Sequence, residues 1–465
     1  MPSGADSPTG RGARLGYGAG ALVAGTFTTL PGLLLLPYLT DTLGVAAVIA
    51  GLVVLVPKAW DVLLIPVAGR LSDRTARRPH ILFGGLAAAA GFALMFSGLS
   101  GGGWGAAVTA AGFCLAATAF AFFQAAYAAL PAEAADLAGE RMRIVAWRVA
   151  GIAVAAVCAG MLAPAVVDAG GGGLAGHRWA GVFGALLIGA GTLAVFATTA
   201  AAADARAVGR PGKDQPGRTT ARALWDAVQA SPSFTALLRC TVLHVVATGC
   251  LLAGTPYYAE HALDDKGLVG PMVALFVLPN LLLTPAWRRF GARRGQKTGI
   301  IVSSSLFAAG CLLLLAGPLL PLAALAVIFL AGCGHAGQLL FMYGMLADCT
   351  AADRATTGHN RAGAMSGCFS AGETAGLAIG PFVFALALQL SGYASSGTGE
   401  AAHQDGAATA GILTGTAVLP ALGVLTGLVL LRRYRLGPAA DDATRGHDAV
   451  REPVTPAGRA ARIRR

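Results

Sequence analysis

Two carboxylates stand where a charge is costly. Asp61 lies in an apolar run from Val45 to Val67, and Glu373 in another from Ala364 to Leu390. An ionised side chain at mid-bilayer costs at least about 2.5 to 3.5 kcal/mol, so each acid needs a partner, water or a bound proton. Lys58 precedes Asp61 by three residues and shares its helical face. That spacing is open to two readings, a structural ion pair or a coupling site. Ser370 and Thr374 are near neighbours of Glu373. Burial disfavours a carboxylate's charge and a nearby cation favours it. An acid balanced between the two can bind a proton on one side of a membrane and release it on the other. Sodium would need several oxygen ligands held together, so the residues favour a proton as coupling ion over sodium.

Arg148, at the start of the run from Ile144 to Val167, offers a planar fork of donors suited to a polar or anionic substrate group. It is equally placed to be an ordinary basic residue at the membrane edge. His335 and Gln338 share a face at i, i+3, and His244 stands alone in its run. A lone intramembrane histidine is more often a packed hydrogen-bonding residue than a relay. Charges of alternating sign gather at one end of the runs: Asp73 with Arg74, then Glu133, Asp136 and Arg141, then Asp348 with Arg361. Pairs of this kind could form and break as a gate. As plain surface pairs they would contribute only about 0 to 1 kcal/mol each.

The elements that must hold these residues are twelve apolar runs, each about 20 residues long and able to cross a bilayer as a helix. Thirty of the 34 Lys and Arg residues fall in alternate gaps between the runs or, for Arg148, at the adjoining edge of a run. The intervening gaps hold only Arg178 and Lys266, and Lys58 and Arg239 lie inside runs. The positive-inside rule then places both termini in the cytoplasm, in a multi-pass protein of the cytoplasmic membrane. The expected organisation is an arm over 1–14, a six-helix bundle over 15–202, a linker over 203–232, a second bundle over 233–433 and a flexible tail over 434–465. A weak repeat supports the division. GRLSDRTARRPH, from Gly69 to His80, and WRRFGARRGQK, from Trp287 to Lys297, occupy the same slot in each half.

Composition agrees: 55% hydrophobic and 12% charged residues exclude an ordinary soluble enzyme, and 65 glycines suit close helix packing. The net charge of +11 is dispersed in short juxtamembrane clusters, which favours orientation and contact with anionic lipid over nucleic-acid binding. The eight cysteines show no CxxC spacing. Neither a disulfide framework nor a metal site is expected, and no cofactor is called for.

The segment PYLTDTLGVAAVIAGLVVLVPKAWDVLLIPVAGRLSDRTARRP, from Pro37 to Pro79, resembles the glycoside-pentoside-hexuronide:cation symporter family of the major facilitator superfamily. The stretch from Tyr127 to Glu133 with Arg141 and Arg148, and that from Met345 to Asp348 with Arg361, fit the same family. The resemblance implies an all-α fold of twelve transmembrane helices in two bundles, and a cavity to which Tyr127, Gln124, Arg148 and the coupling acids contribute. It also exposes departures. Ile65 replaces the second of two helix-two acids used by sodium-coupled members, Gly25 and Phe123 replace acids of the sugar site, and Glu373 stands where a lysine is common.

The reading that follows is a secondary active transporter of a small organic solute, such as a sugar or glycoside, working by alternating access and coupled to protons. It is expected to act as a monomer. With two sugar-site acids gone and Phe120, Phe122 and Phe123 on helix four, an exporter of a hydrophobic metabolite is the alternative. A non-transporting membrane sensor is the alternative of another class. An enzyme would need grouped nucleophiles or metal ligands, which the sequence lacks.

Overall fold

The computed structural model describes residues 11–75, 77–98, 101–134, 138–204, 231–357, 361–397 and 403–435, and among them there is no strand. Long apolar segments have one solution in lipid, since a helix satisfies its backbone polar groups internally. The first half comprises α1 (Arg11–Leu30), α2 (Ala47–Arg74), α3 (Arg77–Met95), α4 (Gly102–Ala134), α5 (Ala138–Ala169) and α6 (Gly173–Asp204). The second comprises α7 (Pro232–His261), α8 (Val269–Leu282), α9 (Thr284–Arg294), α10 (Gln296–Leu313), α11 (Pro321–Thr357), α12 (Ala362–Leu390), α13 (Gly406–Leu413) and α14 (Leu419–Leu431). Most of the expected linker and tail, and the first ten residues, lie outside the described residues.

Ten of the described helical stretches are long and apolar enough to cross a membrane, and the bent pair α8 and α9 makes an eleventh. The 32-residue α5, apolar over Val154–Ala169, completes twelve. The apolar run from Leu268 to Trp287 predicts one helix for the eighth crossing. It bends by 53° at Leu283 instead, between Pro279 inside α8 and Pro285 in the first turn of α9. Each proline withdraws a backbone donor and crowds the preceding turn.

The two halves are packed on one plan. In the first, α1 lies against α5 and α6, α3 against α4 and α6, and α2 against α4. In the second, α7 lies against α12 and α14, α10 against α11 and α14, and α8 against α11. Counting crossings, these are the same pairings repeated, which is the parallel repeat of a two-bundle carrier. The bundles meet where α2 packs on α12 and α5 on α8, a swapped and equivalent pair of contacts.

Among the described residues, three π-helical turns interrupt the regular helices. Two extend α1, over Pro31–Leu35 and Tyr38–Thr42, and one, Thr414–Val418, joins α13 to α14. Wide turns of this kind recur at functional positions. Those of α1 carry Thr40 and Asp41 to the seam between the bundles, at the end poor in basic residues.

Candidate coupling and substrate residues

Asp61 and Lys58 are both nearly inaccessible on α2, at 5% and 7% exposure. Lys58 Nζ lies 4.9 Å from the ring centroid of Phe27 on α1 and 5.7 Å from that of Phe113 on α4. Ring faces therefore hold the ammonium group. No ion pair closes between Lys58 and Asp61 among the described residues. Asp61 Oδ1 is buried without a hydrogen-bond partner. Nearby, Trp60 Nε1 donates to Thr118 Oγ1 at 3.1 Å and ties α2 to α4. Gln124, further along α4, is half-buried with its Oε1 unpartnered.

Tyr127 stands apart from this group. It is fully buried, donates its hydroxyl to Tyr17 O at 2.5 Å, and stacks on Tyr17 and Phe123. Phe120 stacks on Phe27 at 4.2 Å, and Phe122 on His80. Phe120, Phe123 and Tyr127 of α4 are thus engaged in packing the first bundle, which weakens the argument from them for a hydrophobic substrate.

In the second bundle Tyr343, on α11, donates to Glu373 on α12, with 3.0 Å to Oε1 and 2.9 Å to Oε2. Thr374 is committed to Ser370 O. Inside the same bundle, His244 bonds Cys240 O through Nδ1 and Ser304 Oγ through Nε2, both at 2.7 Å. His335 stacks on Phe276 at 5.0 Å and lies 3.5 Å from Thr248 Oγ1. Gln338 is 1% exposed beside His335, and neither of its amide atoms meets hydrogen-bond geometry with a partner.

The two acids belong to packed, antiparallel helices. Val48 N bonds Gln389 Oε1, and Gly51 lies against Ala385 and Phe382. Ten residues along α2 from Gly51 is Asp61, and ten back from Ala385 is Ala375. Asp61 and Glu373 are therefore near one level, about 15 Å along the helices from that contact.

Of the expected gate, the side chains of Asp73, Arg74, Glu133, Asp136 and Arg141 lie outside the described residues, as does that of Arg148. Asp348 is half-buried on α11. Arg361 forks onto Asp353, 3.1 Å from Nε to Oδ2 and 2.9 Å from Nη2 to Oδ1, within the second bundle. Asp353, one to two turns from Asp348 on the same helix, was not singled out in the sequence.

The sequence also gave no role to the residues that seal the opposite end. There Tyr393 donates to Asp41 Oδ1 at 2.8 Å, Thr40 Oγ1 meets Tyr257 OH at 2.7 Å, and Ser396 Oγ donates to Asp41 O at 2.8 Å. Ser395 Oγ donates to Val45 O at 2.9 Å. Together with the Val48 bond, these are the hydrogen bonds between described residues that join the bundles, and all lie at this end. Gly44 and Gly397, at φ of +68° and +70°, bring the two backbones into contact. Burial pushes the Asp41 carboxyl up to about 7, offset in part by the Tyr393 bond. Burial and Asp41 together hold the Tyr393 hydroxyl well above the ordinary tyrosine range.

A family model described as MFS/sugar transport protein matches residues 16–438. The chain belongs to this family. As a member it is a multi-span membrane transporter of small solutes and not an enzyme, and the resemblance seen at Pro37 to Pro79 is borne out. A bacterial homolog of the human lysosomal transporter Spinster, inward-facing and unoccupied, is 14% identical with a TM-score of 0.66, covering 91% of this chain and 95% of its own. The nucleoside transporter NupG is 11% identical with a TM-score of 0.66, covering 92% and 99%. At these identities the likeness is one of fold, and it confirms two six-helix bundles for this MFS/sugar transport family member. No curated protein matches the chain in sequence.

Proposed function

We propose that this transporter carries a sugar, glycoside or related small metabolite across the cytoplasmic membrane by alternating access, driven by protons. Its basic end faces the cytoplasm, the stretch 203–232 links the bundles, and it acts as a monomer. The observation that carries proton coupling is the state of Asp61: inaccessible, beside a cation that it does not touch, with one carboxylate oxygen unmet. A structural ion pair would have closed. A carboxylate left in this position has somewhere for a proton to go and a reason to bind it. Glu373 is the matching acid of the second bundle, at about the same level and held by Tyr343.

Gln124 in the first bundle and Gln338 with His335 in the second offer the unmet polar atoms that a hydroxyl-rich solute could satisfy. Arg148 is assigned to the same task from its position in the sequence. The charged residues Asp73, Arg74, Glu133, Asp136, Arg141, Asp348 and Arg361 belong to the cytoplasmic gate.

The test is transport in proteoliposomes of purified protein, using a solute first found by thermal-shift screening, since a specific ligand stabilises the state it binds. Uptake driven by a pH gradient in the absence of sodium is the expected result. Uptake driven by a sodium gradient with no pH gradient overturns proton coupling, and binding without flux overturns transport.

A further inference from the structure

The hydrogen bonds that close the seam continue outward to a surface cavity. The cavity, of about 410 Å³, is lined by Glu260, His261, Asp264, Lys266, His403 and Gln404 at the end poor in basic residues. From it, His261 Nε2 reaches Tyr393 OH at 3.1 Å, and Tyr393 OH reaches Asp41 Oδ1 at 2.8 Å. A tyrosine hydroxyl has one proton, and here it is given to Asp41. His261 Nε2 must then be the donor to the Tyr393 oxygen. The three groups make an ordered wire from solvent to a buried carboxylate.

We propose that Asp41 is a second protonation site, loaded from the outer face through His261 and Tyr393, and that its protonation favours closure of that face. The transfer balances. A proton from the cavity joins His261 Nδ1, the Nε2 proton passes to the Tyr393 oxygen, and the Tyr393 proton passes to Asp41. Imidazole and phenol end neutral and the carboxylate becomes a carboxylic acid.

The surroundings of Asp41 make this charge-sensitive. From α7 it faces Tyr257 and, further off, Glu260, whose charge opposes its ionisation. Lys266 favours ionisation but is engaged by Glu260 at 2.6 Å. From α6, His177 bonds the neighbouring Thr42 rather than Asp41. From the segment after α12, Tyr393 and Ser396 supply neutral hydroxyls. Closing the seam therefore encloses a carboxylate with no cation bonded to it. Opening the seam returns it to water and to an ordinary carboxylate value.

The sign follows. With about 7 in the closed seam and 3.8 as the ordinary value, closure binds a proton. Acid then favours the closed seam, and this advantage is fully present below about 4 and gone by about 7. The inference rests on the carrier reading only for the existence of an open outer state. Its test is read without any solute, so its failure is distinct from a failure of flux.

Thr40, fully buried against Tyr257, is replaced by cysteine in the full chain. Its reaction with an impermeant maleimide added outside right-side-out vesicles is normalised to that of a cysteine at the open position Gly103. The normalised rate is expected to rise from pH 5 to pH 7 by up to ~100-fold, tenfold per unit of one titrating group. Asp41→Asn is expected to abolish the rise. If that variant does not insert, Tyr393→Phe replaces it and should extend the rise above pH 7, because the ionised carboxylate loses its donor. A flat wild-type profile, a rise that persists in Asp41→Asn, or a Tyr393→Phe profile identical to wild type overturns the proposal.

Discussion

Lys58 and Asp61 share one face of α2, yet the ammonium group lies against Phe27 and Phe113 and the carboxylate keeps an unmet oxygen. A pair held in contact would resist any change of partner. A cation parked on ring faces can be turned toward the acid or away from it by a small shift of α1 or α4 against α2.

Asp61→Asn should therefore separate exchange from accumulation. Counterflow of solute across proteoliposomes is expected to persist, while uptake driven by a pH gradient falls about 5- to 150-fold, the span of a typical coupling free energy. Paired measurements on one preparation decide it. Equal loss of both would make Asp61 a structural residue.

Phe27 and Lys58 should be energetically coupled. In a double-mutant cycle of Phe27→Leu and Lys58→Met, read by unfolding in detergent, the interaction is expected at about 0.5 to 2 kcal/mol. Additive single effects would show that the ring only fills space.

Tyr343→Phe removes both hydrogen bonds to Glu373 and keeps the ring that packs on Phe369. A bond to a charged group is worth about 1.5 to 3 kcal/mol. The variant is expected to reproduce the transport defect of Glu373→Gln in weaker form, and the two defects should not add. Full activity in Tyr343→Phe would remove Tyr343 from any positioning role.

Stability should carry the signature of Asp41. Its raised value means that the group stabilises the closed protein below about 4 and that this stabilisation is lost as pH rises to about 7. Over roughly three units the loss approaches ~4 kcal/mol. The melting temperature of the wild type, taken relative to that of Asp41→Asn from pH 4 to pH 8, should fall through that window and then level off.

Much of this molecule was legible in its sequence. Twelve apolar runs and alternating basic loops gave the crossings, and the slot shared by the segments at Gly69 and Trp287 gave the repeat. The family match to residues 16–438 agrees with the motif read at Pro37 to Pro79. Asp61 and Glu373 could be picked out because a charge in an apolar run is conspicuous. Tyr343 could not, since a tyrosine in such a run has no unusual cost until its hydroxyl meets an acid thirty residues away. Tyr257 was hidden for the same reason, and neither Tyr393, beyond the run that ends at Leu390, nor Asp41 carries a feature that would mark it in the sequence. The break at Leu283 depended on two prolines acting in concert, each of which alone could sit in a bent but continuous helix.

The wide turns of α1 make residue count as consequential as residue identity. Each π turn already houses its additional residue, so one further residue inserted in the regular helix before Pro31 has no wide turn left to absorb it and would swing everything beyond it by about 100° around the axis. Thr40 and Asp41 would then point away from Tyr257 and Tyr393 with no side chain altered. An outer closure of this design tolerates conservative replacements along α1 but not a change in its length.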